Sequence, residues 1–148
     1  MADLCDDPFT IKEMYKKINN GYDVVCGSRY MPEGSRIGGP KLKAFFSRFV
    51  GVSLHYLIRI PTRDIANAFK LYRKNIFDKI EIKSNGFEVS MEMPLRAYFK
   101  GYSITEVPTV WQERKSGKSH FKIIRLAPRY FKWYIWALYM EVRRCFMR

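Results

Sequence analysis

Near the start of the chain, Ile11, Met14, Tyr15 and Ile18 recur at spacings of three and four. This pattern predicts a helix across "PFTIKEMYKKINNG", with Pro8 in the first turn, an aspartate before it as the cap and Gly21 as the stop. The period then changes. "DVVCGS" is a short apolar run that reads as a buried strand, and the order loop, helix, strand is the signature of an α/β unit. "RYMPEGSRIGGPK" is a loop rich in Gly and Pro, and "LKAFFSRFVGVSLHYLIRI" reads as a long helix that is apolar nearly all round. Further on, "NAFKLYR" alternates like a strand and "KNIFDKI" reads as a short helix. "FEVSMEMPLRAYFKG" gives a longer helix with a kink near Pro94 and an end at Gly101, and "YSITEVPTVW" gives a strand. No internal repeat or low-complexity linker is visible, so the 148 residues make one domain or part of one.

The closing segment, "APRYFKWYIWALYMEVRRCFMR", has a different character. Trp133, Trp136, Tyr130, Tyr134 and Tyr139 alternate with Arg129, Lys132, Arg143, Arg144 and Arg148. That mixture suits a helix lying in a membrane interface; the alternative is a terminal helix that closes the domain's own core. No stretch approaches the roughly 18 to 20 apolar residues that span a bilayer.

Composition narrows the partners without choosing one. With 27 Lys and Arg against 14 Asp and Glu, the formal charge is +13, which attracts polyanions: nucleic acid, a phosphorylated ligand or an anionic membrane. The 47% hydrophobic and 16% aromatic content belongs to a folded body rather than a disordered one. Cys5, Cys26 and Cys145 lie far apart without C-x-x-C spacing, and His55 and His120 add no metal pattern, so a reducing, cytosolic side is expected.

Against this basic background the carboxylates of "MADLCDDP" stand out. One of Asp6 and Asp7 suits a helix cap, whereas Asp3 with Asp6 would form a hard oxygen pair able to hold Mg²⁺ or Mn²⁺ together with substrate phosphates. Arg29, in "GSRY", follows the first strand and would emerge at the carboxyl end of the sheet, where open α/β sheets bind ligands. Arg36 and Arg59 read as solvated loop arginines. "ERKSGKSHF" contains "GKS", but Gln112 stands where a Walker A motif requires Gly, which leaves a mobile basic loop with a Gly hinge.

Taken together, "ADLCDDP", "GYDVVCGSRY", "DIANAFKLYRKNIF", "GFEVSMEMPLRAYFKGYSITEVP" and "RKSGKSHF", in this order and spacing, resemble family 2 glycosyltransferases of the polyprenyl-phosphate (dolichol-phosphate) mannose or glucose synthase type. The resemblance covers nearly the whole chain. It implies a partial GT-A (Rossmann-like) fold over residues 1–121 and an amphipathic, membrane-interfacial helical tail over residues 122–148. In that family roughly ninety residues precede the acidic cluster and carry most of the nucleotide-sugar base and ribose site. The chain therefore reads as a carboxyl-terminal portion, and the loss of preceding strands would leave an unpaired edge beside "DVVCGS".

The resemblance also implies roles. Asp3 matches the second aspartate of the family's Asp-x-Asp metal site, whose first position is Met1 here, and Asp6 or Asp7 would supply the other ligand for Mg²⁺ or Mn²⁺. Arg29 and Arg114 match positions that grip the acceptor's phosphate, and Lys43 falls where a further basic residue is usual. Lys118 and Ser119 belong to the mobile loop, in which His120 replaces the usual lysine. Asp64 and Glu92 shape the site. The implied reaction is inverting transfer of a sugar from a nucleotide sugar to a polyprenyl or dolichyl phosphate, at the cytoplasmic face of a membrane and peripheral to it, with no nucleic acid involved. A membrane-associated scaffold without catalysis and a basic nucleic-acid-binding module are the rival readings.

Overall fold

The computed structural model of the protein describes residues 5–113 and 123–147. The first helix, α1 (Thr10–Asn19), starts later than expected: Phe9 rather than an aspartate holds the cap position, without a side-chain cap bond, and Pro8 lies in the preceding turn, where Asp7 Oδ1 accepts the Phe9 N–H at 3.0 Å. It stops where Gly21 takes a φ of +97°, a conformation that costs glycine little, and donates its N–H to the Ile18 carbonyl at 3.1 Å. Of the apolar positions that predict it, Met14 is buried and Ile18 packs beside it, while Ile11 and Tyr15 face outward.

Strand β1 (Val24–Ser28) is buried at every residue and lies at the centre of a mixed sheet. β3 (Lys70–Tyr72), from "NAFKLYR", pairs antiparallel on one side with Tyr72 opposite Val24. β4 (Ile104–Pro108) pairs parallel on the other with Ile104 opposite Val24. The strand "DVVCGS" thus has a neighbour on both sides, and the expectation of an unpaired edge beside it is corrected: the chain returns antiparallel through β3 and fills that position.

The expected strand "YSITEVPTVW" divides at Thr109. Its first half is β4, and its second half, β5 (Val110–Gln112), turns away to pair in parallel with β2 (Ser35–Ile37), a short strand inside the Gly- and Pro-rich loop. Thr109 joins the two sheets, donating its N–H to the Ser28 carbonyl and accepting from the Ser35 N–H, each at 3.1 Å. The acidic segment docks on the free side of β5 through an antiparallel bridge between Asp6 and Trp111, with Gln112 N–H on the Cys5 carbonyl at 2.7 Å and Asp7 N–H on the Val110 carbonyl at 3.0 Å.

The remaining helices are α2 (Lys41–Leu57), α3 (Val89–Phe99) and α4 (Ile123–Phe146), with a 3₁₀ turn at Lys74–Ile76. The main core gathers Val24, Leu54, Ile58, Ile65, Met91 and Leu95 with Trp133 and Ala137 of α4. α2, apolar nearly all round in sequence, buries only Gly51 and Leu54 and leaves Leu42, Phe45, Phe46, Phe49 and Tyr56 exposed. α4 has two faces: Leu126, Trp133 and Ala137 close the core, while Phe131, Ile135, Tyr139, Val142 and Phe146 form an outward stripe at helical spacing. Among the described residues, no helix is long and apolar enough to cross a membrane. The α/β class expected from the sequence is borne out, with the sheet mixed and a helix at the carboxyl end.

Candidate functional site

Arg29 leaves the carboxyl end of β1 and turns straight into a buried carboxylate. Its Nε and Nη2 donate to the two oxygens of Asp64 at 2.7 and 2.8 Å, and its backbone N–H donates to Oδ2 at 3.0 Å. The fork geometry of guanidinium on carboxylate makes this a fixed, charge-assisted pair. Asp64 is fully buried and the Arg29 side chain is 9% exposed. Burial opposes the charge on Arg29, but the adjacent Asp64 outweighs it and the guanidinium pKa is pushed up.

The loop that presents Asp64 is itself clamped. Arg63 donates from its backbone N–H and from Nη1 to the Glu106 carboxylate on β4, at 2.7 and 2.6 Å. On the opposite side α2 approaches so closely that a Cβ on Gly51 would sit 2.1 Å from the Arg63 carbonyl oxygen, so only glycine fits. Further along, Lys70 buries its ammonium on the carbonyls of Ile65 and Asn67, and burial pushes its pKa down. The Cys26 thiol beneath is pushed up to about 11 by burial, which makes it inert as a nucleophile at neutral pH.

The acidic segment reaches the same place. Asn67 Nδ2 donates to Asp6 Oδ1 at 3.2 Å, and Asp6 is close enough to Arg29 and Lys70 to act on both electrostatically. Asp7 is turned toward the start of α1, and Asp3 lies outside the described residues. Among the described residues, no three His, Cys, Asp or Glu side chains gather as a metal site. A lone hard carboxylate suits Mg²⁺ or Mn²⁺ only when substrate phosphates complete the shell, which is how Mg²⁺ is commonly held.

Beside Arg29 lies an open cavity of about 480 Å³ lined by Arg29, Tyr30, Arg36, Lys41, Phe45 and Arg48, with the backbone around Gly38 and Gly39 as its floor. It adjoins a second hollow of about 390 Å³ along α2, walled by Phe45, Phe49, Val52 and Ser53, with Phe45 and Arg48 shared between the two. A cationic chamber therefore lies next to an apolar hollow on the face of α2. Tyr30 Oη and Ser47 Oγ, 2.5 Å apart, hold α2 against the chamber wall, and Arg36 stacks on Trp111 at 4.4 Å from the ring centroid.

In the sequence Arg36 reads as a solvated loop residue, and Lys41 and Arg48 belong to none of its motifs. The spacing of Lys41, Ala44, Phe45 and Arg48 on one helical face was the available signal. Lys43 lies on the same first turn of α2, outside the chamber lining. Arg114, Lys118, Ser119 and His120 fall outside the described residues. Arg29, Asp64 and Asp6 are brought together.

Glu92 is placed elsewhere. Fully buried, it accepts the backbone N–H groups of Lys83 and Ser84 and the Arg96 Nε, each at 2.7 Å. Burial would raise its pKa, but the Ser84 hydroxyl, the Lys83 N–H, the Arg96 guanidinium and the Ser84 N–H prevail and hold it below its ordinary value. Arg96 in turn lies over Trp133 and Trp136, and Ser84 Oγ accepts from Trp133 Nε1 at 2.9 Å, so Glu92 organises the seat of α4.

No family model matches the chain. Among curated proteins, it is 26% identical over 140 residues to a polyprenol monophosphomannose synthase of Mycolicibacterium smegmatis, covering 93% of this chain and 53% of that protein. It is 27% identical over 142 residues to a dolichol-phosphate mannosyltransferase of Pyrococcus furiosus, covering 89% and 39%. It is 31% identical over 119 residues to a dolichyl-phosphate hexose transferase of Haloferax volcanii, covering 74% and 48%. The chain spans about half the length, or less, of these relatives. The resemblance carried by its motifs is borne out: over most of its length this chain is similar in sequence to the polyprenyl-phosphate and dolichyl-phosphate sugar transferases.

Proposed function

We propose that the protein binds a polyprenyl or dolichyl phosphate and serves its glycosylation from a nucleotide sugar by inverting displacement. The observation that carries this reading is the adjacency of the chamber of Arg29, Arg36, Lys41 and Arg48 to the apolar hollow of Phe45, Phe49 and Val52, which share Phe45 and Arg48 as walls. An isoprenoid phosphate has the same sequence of properties, a compact dianion followed by a branched hydrocarbon. The names of the relatives supply the sugar-transfer half of the proposal.

In this reading a phosphate oxygen of the lipid attacks the anomeric carbon of the sugar, and the bond to the nucleoside diphosphate breaks on the opposite face. The monoester's second pKa is about 6, so it is already ionised at neutral pH and no strong base is required. Arg29 enters the chamber with two of its donors committed to Asp64, so it is oriented before the ligand arrives and little ordering remains. A divalent ion held by Asp6 and Asp3 would neutralise charge on the departing diphosphate.

The lipid's remaining length needs a membrane. The outward stripe of α4 and the exposed Leu42, Phe46 and Tyr56 of α2, flanked by Lys41, Arg48 and Lys132, suit the interface of an anionic bilayer, so the protein acts as a peripheral protein on the cytoplasmic face. The excess positive charge then serves phospholipid and acceptor phosphate rather than nucleic acid. Titration with citronellyl phosphate and with inorganic phosphate tests the core of the reading. Tighter binding of the isoprenoid, lost in Arg48→Glu and weakened in Phe49→Ser, is expected; equal affinity for both ligands, or displacement by arbitrary RNA, overturns it. Transfer of radiolabelled sugar into lipid extract tests the reaction.

A further inference from the structure

Arg36 of β2 and Trp111 of β5 stand opposite each other in the parallel ladder, and opposed residues of paired strands send their side chains to the same face. Both are partly buried, and the guanidinium lies over the indole with its carbon 4.4 Å from the ring centroid, inside the range of a cation–π contact. Gly39 leaves room for this stack. A Cβ there would sit 2.6 Å from Arg36 Nη2 and 3.1 Å from Trp111 Cη2, and the φ of +78° suits glycine. The Gly39 N–H donates to Glu113 Oε2 at 2.9 Å, and Arg36 Nε reaches the Gly38 carbonyl at 3.4 Å. Trp111 is itself fixed, because β5 is hydrogen-bonded to β2 along one edge and to residues 5–7 along the other. It lies outside the chamber lining, to which Arg36 and Gly39 belong.

The chamber's two loop arginines are held in opposite ways. Arg29 gives two donors to Asp64, and that carboxylate offsets its charge. Among the described residues no carboxylate forms an ion pair with Arg36. An indole face orients a guanidinium without neutralising it and leaves the donor edge to a ligand, and that edge is the fork that grips phosphate oxygens. An arginine without such a support would lose more rotamer freedom each time a ligand bound. We infer that Trp111 is a positioning residue: it holds the Arg36 guanidinium at the chamber with its charge not offset, so that Arg36 serves the acceptor's phosphate. This rests on the proposed function.

Affinity for citronellyl phosphate, with inorganic phosphate alongside, tests this in a double-mutant cycle. Trp111→Leu keeps an apolar side chain but removes the ring face. It should weaken binding of both ligands about threefold to fivefold, and Trp111→Phe should recover most of that loss. In an Arg36→Met background the same Trp111→Leu change should have no further effect, a coupling that a merely structural role for Trp111 would not produce. Should Trp111→Leu not fold, Trp111→Met is read the same way. Unchanged affinity in Trp111→Leu, an equal loss with and without Arg36, or no recovery in Trp111→Phe overturns the inference with the proposed function intact. Wild-type protein that binds citronellyl phosphate no more tightly than inorganic phosphate overturns the proposed function, and the inference with it.

Discussion

The turn around Asp64 and the outer faces of α2 and α4 reverse the usual placement of charge and oil. At the turn, Asp64, Arg29 and Lys70 are sunk at the end of the sheet, while on the helices Phe45, Phe49, Phe131 and Phe146 stand in the open. Buried charge is tolerated when every donor and acceptor is matched, and it resists displacement because any one partner left alone is costly. Exposed aromatics cost the isolated fold little but need a partner in the end. The first region therefore reads as a fixed chemical frame and the second as a surface made for something apolar.

Breaking the frame should give the largest effect. Asp64→Ala strands the Arg29 guanidinium in a buried site and is expected to cost about 3–5 kcal/mol in urea unfolding. The double change Arg29→Met with Asp64→Leu should recover much of that stability and still lose citronellyl phosphate binding, separating the pair's structural role from its ligand role.

Glu92 offers a second break, one that pH can tune. Glu92→Gln removes the charge that the Ser84, Lys83 and Arg96 donors surround, at about 1.5–3 kcal/mol near neutral pH. Because the folded state holds this carboxyl's pKa below its unfolded value, its contribution is fully present above the unfolded pKa of about 4.3 and is lost as pH falls through the folded value. Urea midpoints of wild type and Glu92→Gln should converge as pH drops below about 4. A gap that persists into acid would show that packing, not charge, was lost.

Gly51→Ala presses a methyl group onto the Arg63 carbonyl and should cost about 1–3 kcal/mol, with Asp64 shifted away from Arg29. Loss of citronellyl phosphate binding in this variant, which alters no ligand-lining residue, sharpens the link between α2 and the frame. The smallest effect on stability belongs to the other region. Phe131→Ser, Ile135→Ser and Tyr139→Ser should each change stability by no more than about 0.5 kcal/mol, yet together abolish flotation with anionic liposomes. Unchanged flotation would remove the membrane from the proposal.

The helices at 10–19, 41–57 and 89–99 and the strands β1, β3 and β4 were legible because their signals are local: apolar spacing, a stopping glycine, an alternating run. The motifs "GSRY" and "DIANAFKLYR" were legible as candidates on the same terms. β2 was hidden because three residues in a Gly-rich loop carry no periodic pattern, and its partner β5 was hidden because the apolar run through Thr109 gives no sign that it changes sheets.

Local pattern determined which residues can form each element and that Arg29 would appear at the end of a strand. Only the tertiary structure decided what Arg29 meets there. The contact with Asp64 spans 35 positions and that of Asn67 with Asp6 spans 61, and it is β1, lying between β3 and β4, that brings them together. The same holds for the exposed face of α2: its sequence says apolar nearly all round, but which side is buried depends on where Gly51 lets the Arg63 loop approach, and a helix cannot encode the position of a loop twelve residues away.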